Sequence, residues 1–271
     1  MRYVKRPTLP LAALALGVGF CIFNLAGCTP DIVEKENLTA GYSALDSRQY
    51  DNAINRADQQ LGKSQEGEVS AEAYYLKGRA FEQRAKPDVR GANSDLDMAA
   101  SYYEHALTLN PAPPLEGYIH ASLGNVEYWR DDYGGSLRQF SAAYDLIDSP
   151  DLKSFVLYRA GLCQQRLGQF SVADKSFQAV QDRFPGTDAS NRARDHMGFH
   201  NFNVRIATFS SIQSADMAVQ ALQSSGIGLV QRKLLPNGEC VVLLGPQGTY
   251  TEALAMKTRV AGQYANAVII P

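Results

Sequence analysis

Three stretches of the chain share one order of small, large and helix-stopping residues. Aligned on a glycine, they read Tyr74-Tyr75-Leu76-Lys77-Gly78-Arg79-Ala80-Phe81, then Ala121-Ser122-Leu123-Gly124-Asn125-Val126, then Tyr158-Arg159-Ala160-Gly161-Leu162-Cys163. Each is followed by a second stretch with apolar residues at helical spacing: Ala99 to Leu107, Ser136 to Tyr144 and Ala173 to Val180. A proline then closes each unit, at Pro111, Pro150 and Pro185. Apolar positions three and four apart lie on one face of a helix, and proline stops a helix. Each unit therefore predicts a helical hairpin, with a first helix A and a second helix B. The small residues Gly78, Gly124 and Gly161 on A, with Ala99, Ser136 and Ala173 on B, let the two helices approach closely. Tyr103, Phe140 and Phe177 are expected to fill the space between successive hairpins. In the first unit Pro87, Gly91, Asn93 and Ser94 predict a loop insert around Lys86–Asp97.

This pattern resembles the tetratricopeptide repeat. The run L-x-x-A-G-x-x-x-x-x-L-G-Q-F-x-x-A-x-x-x-F-x-x-V-x-x-x-F-P within 155–185 carries the resemblance most fully, and 119–150 and 74–111 carry it well. A weaker fourth unit spans 38–62, with Gly41, Tyr50, Ala53 and Leu61. Two-helix units bury their faces only by stacking, so about four repeats across 37–187 predict an α-solenoid. The resemblance implies a protein-binding groove lined by helix A. Its candidates are Tyr75, Arg79, Tyr118, Asn125, Tyr128, Trp129, Phe155, Tyr158 and Arg166. Aromatics and arginine are enriched where binding energy concentrates, and Trp129, at the end of its helix A, is expected to be exposed.

From Phe202 the period changes. Asn203 to Phe209 alternates as a strand does. A helical stripe follows over Ala215–Leu222, with Ser214 as its expected cap and Gly226 as its stop. Strands are expected at Ile227–Leu235 and Cys240–Leu244, broken by Gly245-Pro246. A second helix over Thr251–Ala261 and a last strand over Ala265–Ile270 complete the order β-α-β-β-α-β. With V-x-I-A-x-F-S at the first strand and L-G-P at the third, residues 202–271 resemble the SPOR domain family. The fold class expected for the chain is thus mainly α, a tetratricopeptide solenoid followed by a small α+β ferredoxin-like domain, with 188–201 as a linker. The resemblance implies two helices on one face of an antiparallel sheet and binding of peptidoglycan glycan strands on the other. Alternation along the first strand would place Val204, Ile206 and Thr208 under the helices, against Val219, Leu222, Leu254 and Met256. Arg205 and Ala207 would then face the open side beside Val241 and Leu243, and these four are the candidate glycan contacts. Arg205 stands where the family often has Gln, and Gln247 where it usually has Phe.

The N-terminus reads as an address. Arg2, Lys5 and Arg6 precede an uncharged apolar run from Leu9 to Phe23, the order of a secretory signal. The run ends at Leu25-Ala26-Gly27-Cys28, which looks like a bacterial lipobox. That resemblance implies cleavage after residue 27, a lipid on Cys28, a short tether over 28–36, and a membrane partner through the lipid. Thr29, rather than Asp, follows the cysteine and points to the outer membrane, facing the periplasm. Composition agrees with a folded protein: 45% hydrophobic, 20% charged and a net charge of −2. No basic excess of the kind that neutralises phosphates appears, so nucleic acid is not an expected partner. Without residues 1–27 the net charge is −5, split between +2 over 202–271 and −7 over the rest.

No catalytic constellation, metal site or cofactor site is expected. His196 and His200 lie one turn apart across Gly198, with no third ligand at metal spacing. Asp131-Asp132 are adjacent and do not share a helix face. Ser122 and Ser141 lack a nucleophile elbow, and Gly245–Thr249 lacks the lysine of a phosphate loop. Two functions stay open. One is an envelope scaffold that joins a protein partner to the wall, in division or wall organisation. The other is an assembly factor or pilotin for an outer-membrane or pilus machine, with a degenerate C-terminal docking domain. If Cys28 carries the lipid, Cys28→Ala leaves an unprocessed precursor, visible as the larger species on a gel. A mutant processed and membrane-bound like the parent would refute the lipobox.

Overall fold

The computed structural model describes residues 31–85 and 93–271. Cys28, the leader and most of the predicted insert lie outside the described residues. The chain divides into two compact units, one up to Glu116 and one from Gly117 onward.

The first unit holds α1 (Asp31–Asp46), α2 (Tyr50–Leu61), α3 (Glu68–Arg84) and α4 (Asn93–Thr108), each packed on the next. Helix α1 begins at Asp31, so the stretch read as a tether over 28–36 is helical from that residue. Helix α4 begins inside the stretch read as loop. Asn93, Ser94 and Asp95 are residue types that open helices, and Leu96 behind them is fully buried. Leu38, Leu45, Ala53, Ala57, Leu76 and Ala80 form the core of the first three helices. Tyr103 of α4, fully buried, lies against Gly78 of α3. A Cβ added at Gly78 would come within 2.5 Å of its ring.

The second unit repeats this contact twice. It contains α5 (Pro113–Trp129, from Gly117), α6 (Tyr133–Leu146), α7 (Pro150–Arg166), α8 (Phe170–Arg183) and α9 (Asp188–Arg194). Phe140 sits on Gly124 and Phe177 on Gly161, where an added Cβ would meet the rings at 3.0 and 2.6 Å. Each aromatic is seated on the glycine of its own hairpin, and Phe140 and Phe177 also meet the element that follows: Arg159 of α7 lies 5.5 Å from the Phe140 ring, and Ala189 and Ala193 of α9 pack with Phe177. Glycine there removes the one atom that would hold the ring away. Ser136 tightens the second hairpin by donating to the Gly124 carbonyl at 2.7 Å.

The A-to-B turns are also alike. Arg48, Asp131 and Gly168 have φ of 59°, 62° and 76°. The next N–H reaches back five residues in each case: Gln49 to Ala44, Asp132 to Glu127 and Gln169 to Gln164, at 2.8–2.9 Å. This is the left-handed helix stop that satisfies the last carbonyls of helix A. Asp132 then caps α6 through the Gly135 N–H, and Ser149 with Pro150 opens α7.

Residues 188–201, read as a linker, begin with α9. Ala189 and Ala193 of this helix are buried against Tyr158, Phe177 and Val180 of the last hairpin. Beyond it, Gly198 donates to Asp174 at 3.0 Å.

The C-terminal sheet has strands β1 (Phe202–Phe209), β2 (Val230–Leu234), β3 (Cys240–Gln247) and β4 (Val268–Ile270), with α10 (Ile212–Ser224) and α11 (Tyr250–Val260) between them. All neighbours are antiparallel in the order β2-β3-β1-β4. Strand β3 continues through Gly245-Pro246 to Gln247 rather than ending there. Ser211, not Ser214, caps α10 by accepting the Ser214 N–H. Both helices cover one face, where Val204, Ile206, Val242 and Leu244 meet Ala215, Ala218, Leu222, Ala253 and Val260. Leu254 is not among them; it is 40% exposed. Phe170, the first residue of α8, belongs to this same core and meets the Phe202 ring at 5.1 Å.

The ring-on-glycine contact sets a stability expectation. Gly161→Ala gains helix propensity of about 1 kcal/mol but forces a methyl into a sealed ring contact, and overpacking of this kind costs about 1–3 kcal/mol. The net expectation is a loss of up to about 2 kcal/mol. Gly62→Ala is the control, because φ there is −67° and the nearest atom to an added Cβ is 3.4 Å away. It should be neutral or stabilising by up to about 1 kcal/mol. Urea unfolding followed by circular dichroism measures both.

Candidate binding surfaces

In the first unit Tyr75 and Arg79 do not line an open groove; both are buried. The Arg79 guanidinium donates to the Tyr75 hydroxyl at 3.0 Å and pairs with Glu82 at 3.8 Å. Glu82 in turn accepts from the Tyr103 hydroxyl at 2.6 Å. Burial alone would lower the Arg79 pKa, but Tyr75, Tyr103 and Glu82 outweigh it and hold the cation above its ordinary range. These partners make a buried charge tolerable and turn two expected contact residues into interior ones.

The remaining candidates fall in the second unit. Tyr118, Asn125, Tyr128, Phe155 and Arg166 are half-buried, and Trp129 is 43% exposed. Tyr158 is interior: its ring packs on Phe177 at 6.0 Å and His196 at 5.8 Å, and burial pushes its hydroxyl up to about 12. His196 bonds Gln165 at 3.2 Å, and burial lowers its pKa. Among the described residues no three metal-binding side chains gather. Asp131 accepts from the Tyr133 hydroxyl at 2.5 Å, so Asp131 and Asp132 serve the turn.

Tyr128 and Arg166 enter one aromatic and cationic cluster. Arg159 lies 4.2 Å over the Tyr128 ring, and Arg166 donates to the Tyr128 hydroxyl at 3.4 Å. Trp129 and Tyr133 stand edge-on to Tyr128 at 5.9 and 5.2 Å. Tyr250, from α11 of the C-terminal domain, meets Tyr133 at 5.3 Å, Arg166 at 4.6 Å and Phe202 at 5.8 Å. Burial, with the bond to Asp131, pushes the Tyr133 hydroxyl up. Arg159, Tyr133 and Tyr250 were not among the sequence candidates. Arg159 was within reach, since it lies four residues after Phe155 and seven before Arg166 and so shares their helix face.

The open sheet face differs from the expected one because β1 carries a bulge. Arg205 pairs with Leu243, but Ala207 then pairs with Val242, Thr208 with Val241 and Phe209 with Cys240. Ile206 and Ala207 together stand against Val242. A bulge of this kind reverses which side chains face which side. Ala207 therefore turns to the helix side and packs on the core, whereas Thr208 leaves it and is exposed. The open face carries the row Gln231, Leu243, Arg205, Val268 and the row Lys233, Val241, Thr208.

Residues 155–187 match the tetratricopeptide repeat family. A search of curated proteins finds no match. Among solved structures, the chain resembles the MamA protein at 12% identity and a TM-score of 0.46, over 88% of this chain and 98% of that one. It also resembles a thermophilic tetratricopeptide protein of Thermus thermophilus, TTC0263, at 15% identity and a TM-score of 0.39. That match covers 60% of this chain and 98% of the other. The family match covers residues 155–187, one tetratricopeptide repeat, a kind of unit that indicates a protein–protein interaction scaffold.

Exposure separates Trp129 from the rings around it. Trp129→Ala should shift unfolding by no more than about 0.5 kcal/mol, as surface substitutions do. Phe177→Ala should cost about 3–5 kcal/mol. Parallel urea melts decide it: a Trp129→Ala loss approaching that of Phe177→Ala would return Trp129 to the core.

Proposed function

We propose that this protein is a lipid-anchored scaffold of the bacterial envelope. Cys28 holds it to the outer membrane on the periplasmic side, the repeats take up a protein partner, and the C-terminal domain contacts peptidoglycan glycan strands. The observation that carries the wall contact is the chemistry of the sheet face opposite α10 and α11. Val241, expected among the contacts, is buried, so Leu243 and Val268 offer the flat apolar area for sugar rings, and Arg205, Gln231, Lys233 and Thr208 flank them with hydroxyl-binding groups. The Arg205 fork gives several planar N–H donors. The strand order β2-β3-β1-β4, with both helices on one side, supports reading the domain as ferredoxin-like and SPOR-like. The charge of +2 on this segment against −7 over residues 28–201 suits two different partners.

A second reading rests on Phe170 and Tyr250. Because both join the last hairpin to the sheet domain, that domain can act as a docking cap for the repeats with no wall ligand. Co-sedimentation of the full chain, in detergent, with amidase-treated sacculi separates the two. The wall reading expects pelleting that weakens about tenfold in Arg205→Ala, the lower bound for losing a charged hydrogen bond. Full-length chain left in the supernatant at every ionic strength would move the assignment to the docking cap.

A further inference from the structure

The sheet ends on β2, and the hydrogen-bond parity of that strand shows what its outer side offers. The order β2-β3-β1-β4 gives β2 a neighbour on one side only. At the two ends of the β2–β3 ladder, the Leu229 carbonyl accepts the Gly245 N–H at 3.0 Å and the Leu235 N–H donates to the Glu239 carbonyl at 2.8 Å. Bonded pairs in an antiparallel ladder recur every second residue, and the register from Val230↔Leu244 to Leu234↔Cys240 is unbroken. Gln231 and Lys233 therefore direct their backbone groups to β3, whereas the N–H and C=O of Val230, Arg232 and Leu234 point out of the sheet. Natural edges are blunted by short strands, proline or a bulge. Strand β4, at the other edge, has three residues, while β2 has five with neither proline nor bulge. Four of those five are exposed, and Leu229 and Leu234, at its two ends, are 65% and 59% exposed.

The side chains select the occupant. Val230, Arg232 and Leu234 lie on the helix side of the sheet, opposite Leu244, Val242 and Cys240, and Gln231 and Lys233 lie on the open side. Asp216 of α10 pairs with Arg232 at 3.3 Å, and β2 itself holds two bases and no acid. Two copies of the chain joined antiparallel over all five residues would set Arg232 against the Arg232 of the other, and like charges directly opposite are destabilising. An acidic strand meets no such penalty. We propose that the outer edge of β2 takes up an extended segment of a partner polypeptide as a fifth, antiparallel strand of the sheet, with apolar residues opposite Val230 and Leu234 and an acid opposite Lys233. Backbone bonds at Val230, Arg232 and Leu234 supply the affinity, and the alternating side chains supply the selectivity. The edge adjoins the sheet face read as the glycan contact and does not depend on it.

The test titrates the full chain, in detergent, into a fluorescein-labelled peptide, Ser-Val-Glu-Thr-Glu-Val-Ser with blocked ends, while anisotropy is read. Laid antiparallel, this peptide sets its valines opposite Leu234 and Val230, its threonine opposite Arg232 and its glutamates opposite Lys233 and Gln231. The expected result is saturable binding that slows hydrogen exchange at the Val230, Arg232 and Leu234 amides; those of Gln231 and Lys233 are already slow in the unbound chain. N-methylation of the two valines and the threonine, whose N–H groups face β2, should weaken binding by more than about tenfold, and N-methylation of the two glutamates, whose N–H groups face away, should leave it unchanged. Replacing both glutamates by lysine should weaken binding about threefold, and Lys233→Glu should reverse that preference. If Lys233→Glu fails to fold, the paired N-methylated peptides on the unaltered chain carry the result. Equal loss with both methylation patterns, or binding that leaves the outward amides unprotected, would overturn the strand pairing, as would no binding of the unmethylated peptide. A chain that sediments as a dimer and separates in Arg232→Pro would assign the edge to a second copy and overturn the partner strand. Pelleting with sacculi is read separately, so failure of the edge site leaves the wall reading standing.

Discussion

Each repeat with a described turn or ring contact depends on what an absent side chain permits. At Gly78, Gly124 and Gly161 the lack of a Cβ lets Tyr103, Phe140 and Phe177 lie flat on the backbone of the partner helix. The ring is then sealed, since all three are fully buried. Close seating of helix B on helix A fixes the hairpin angle, and the angle decides which face the next hairpin meets. Ser136 and Ala173, small residues on B, follow from the same closeness. The repeated left-handed turn at Arg48, Asp131 and Gly168 is the chain's way of returning within the short span that so close a hairpin allows.

The second unit is a repeat array and a sheet domain that share interior. Phe170 opens α8 with its ring in the core of the following domain, and Tyr250 returns the contact from α11. Helix α9 fills the stretch between them and packs on the last hairpin. The consequence for binding is that the residues around Tyr128 are framed by both parts, so their chemistry belongs to neither alone.

The sequence disclosed the repeats because their signal is redundant: glycine, aromatic and proline recur in step, and any one can be weak without hiding the others. It disclosed less of the surfaces, for two physical reasons. Helical spacing tells which residues share a face but not what lies across from that face, so Tyr75, Arg79 and Tyr158 were expected in a groove and are interior. Arg79 is buried because Tyr75 and Glu82 happen to meet it there. Strand alternation likewise assumes an unbroken ladder. The bulge at Ile206 and Ala207 breaks it without a glycine or proline to mark the place, and so Ala207 and Thr208 exchange sides. Tyr250 was hidden for a third reason: its partners in the repeats, Tyr133 and Arg166, stand more than eighty positions earlier, a relation that no local pattern encodes.

Helix α9 has a meaning for assembly. A stack of helical hairpins ends on an apolar face that the next hairpin would cover, and an uncovered end invites another molecule to continue the stack. Here Ala189 and Ala193 cover Phe177 and Val180, while Phe170 is taken into the neighbouring core. The array is thereby closed at its C-terminal end. Copies of the chain cannot lengthen it head to tail from α8, because the face that a further hairpin would use is already taken within the chain.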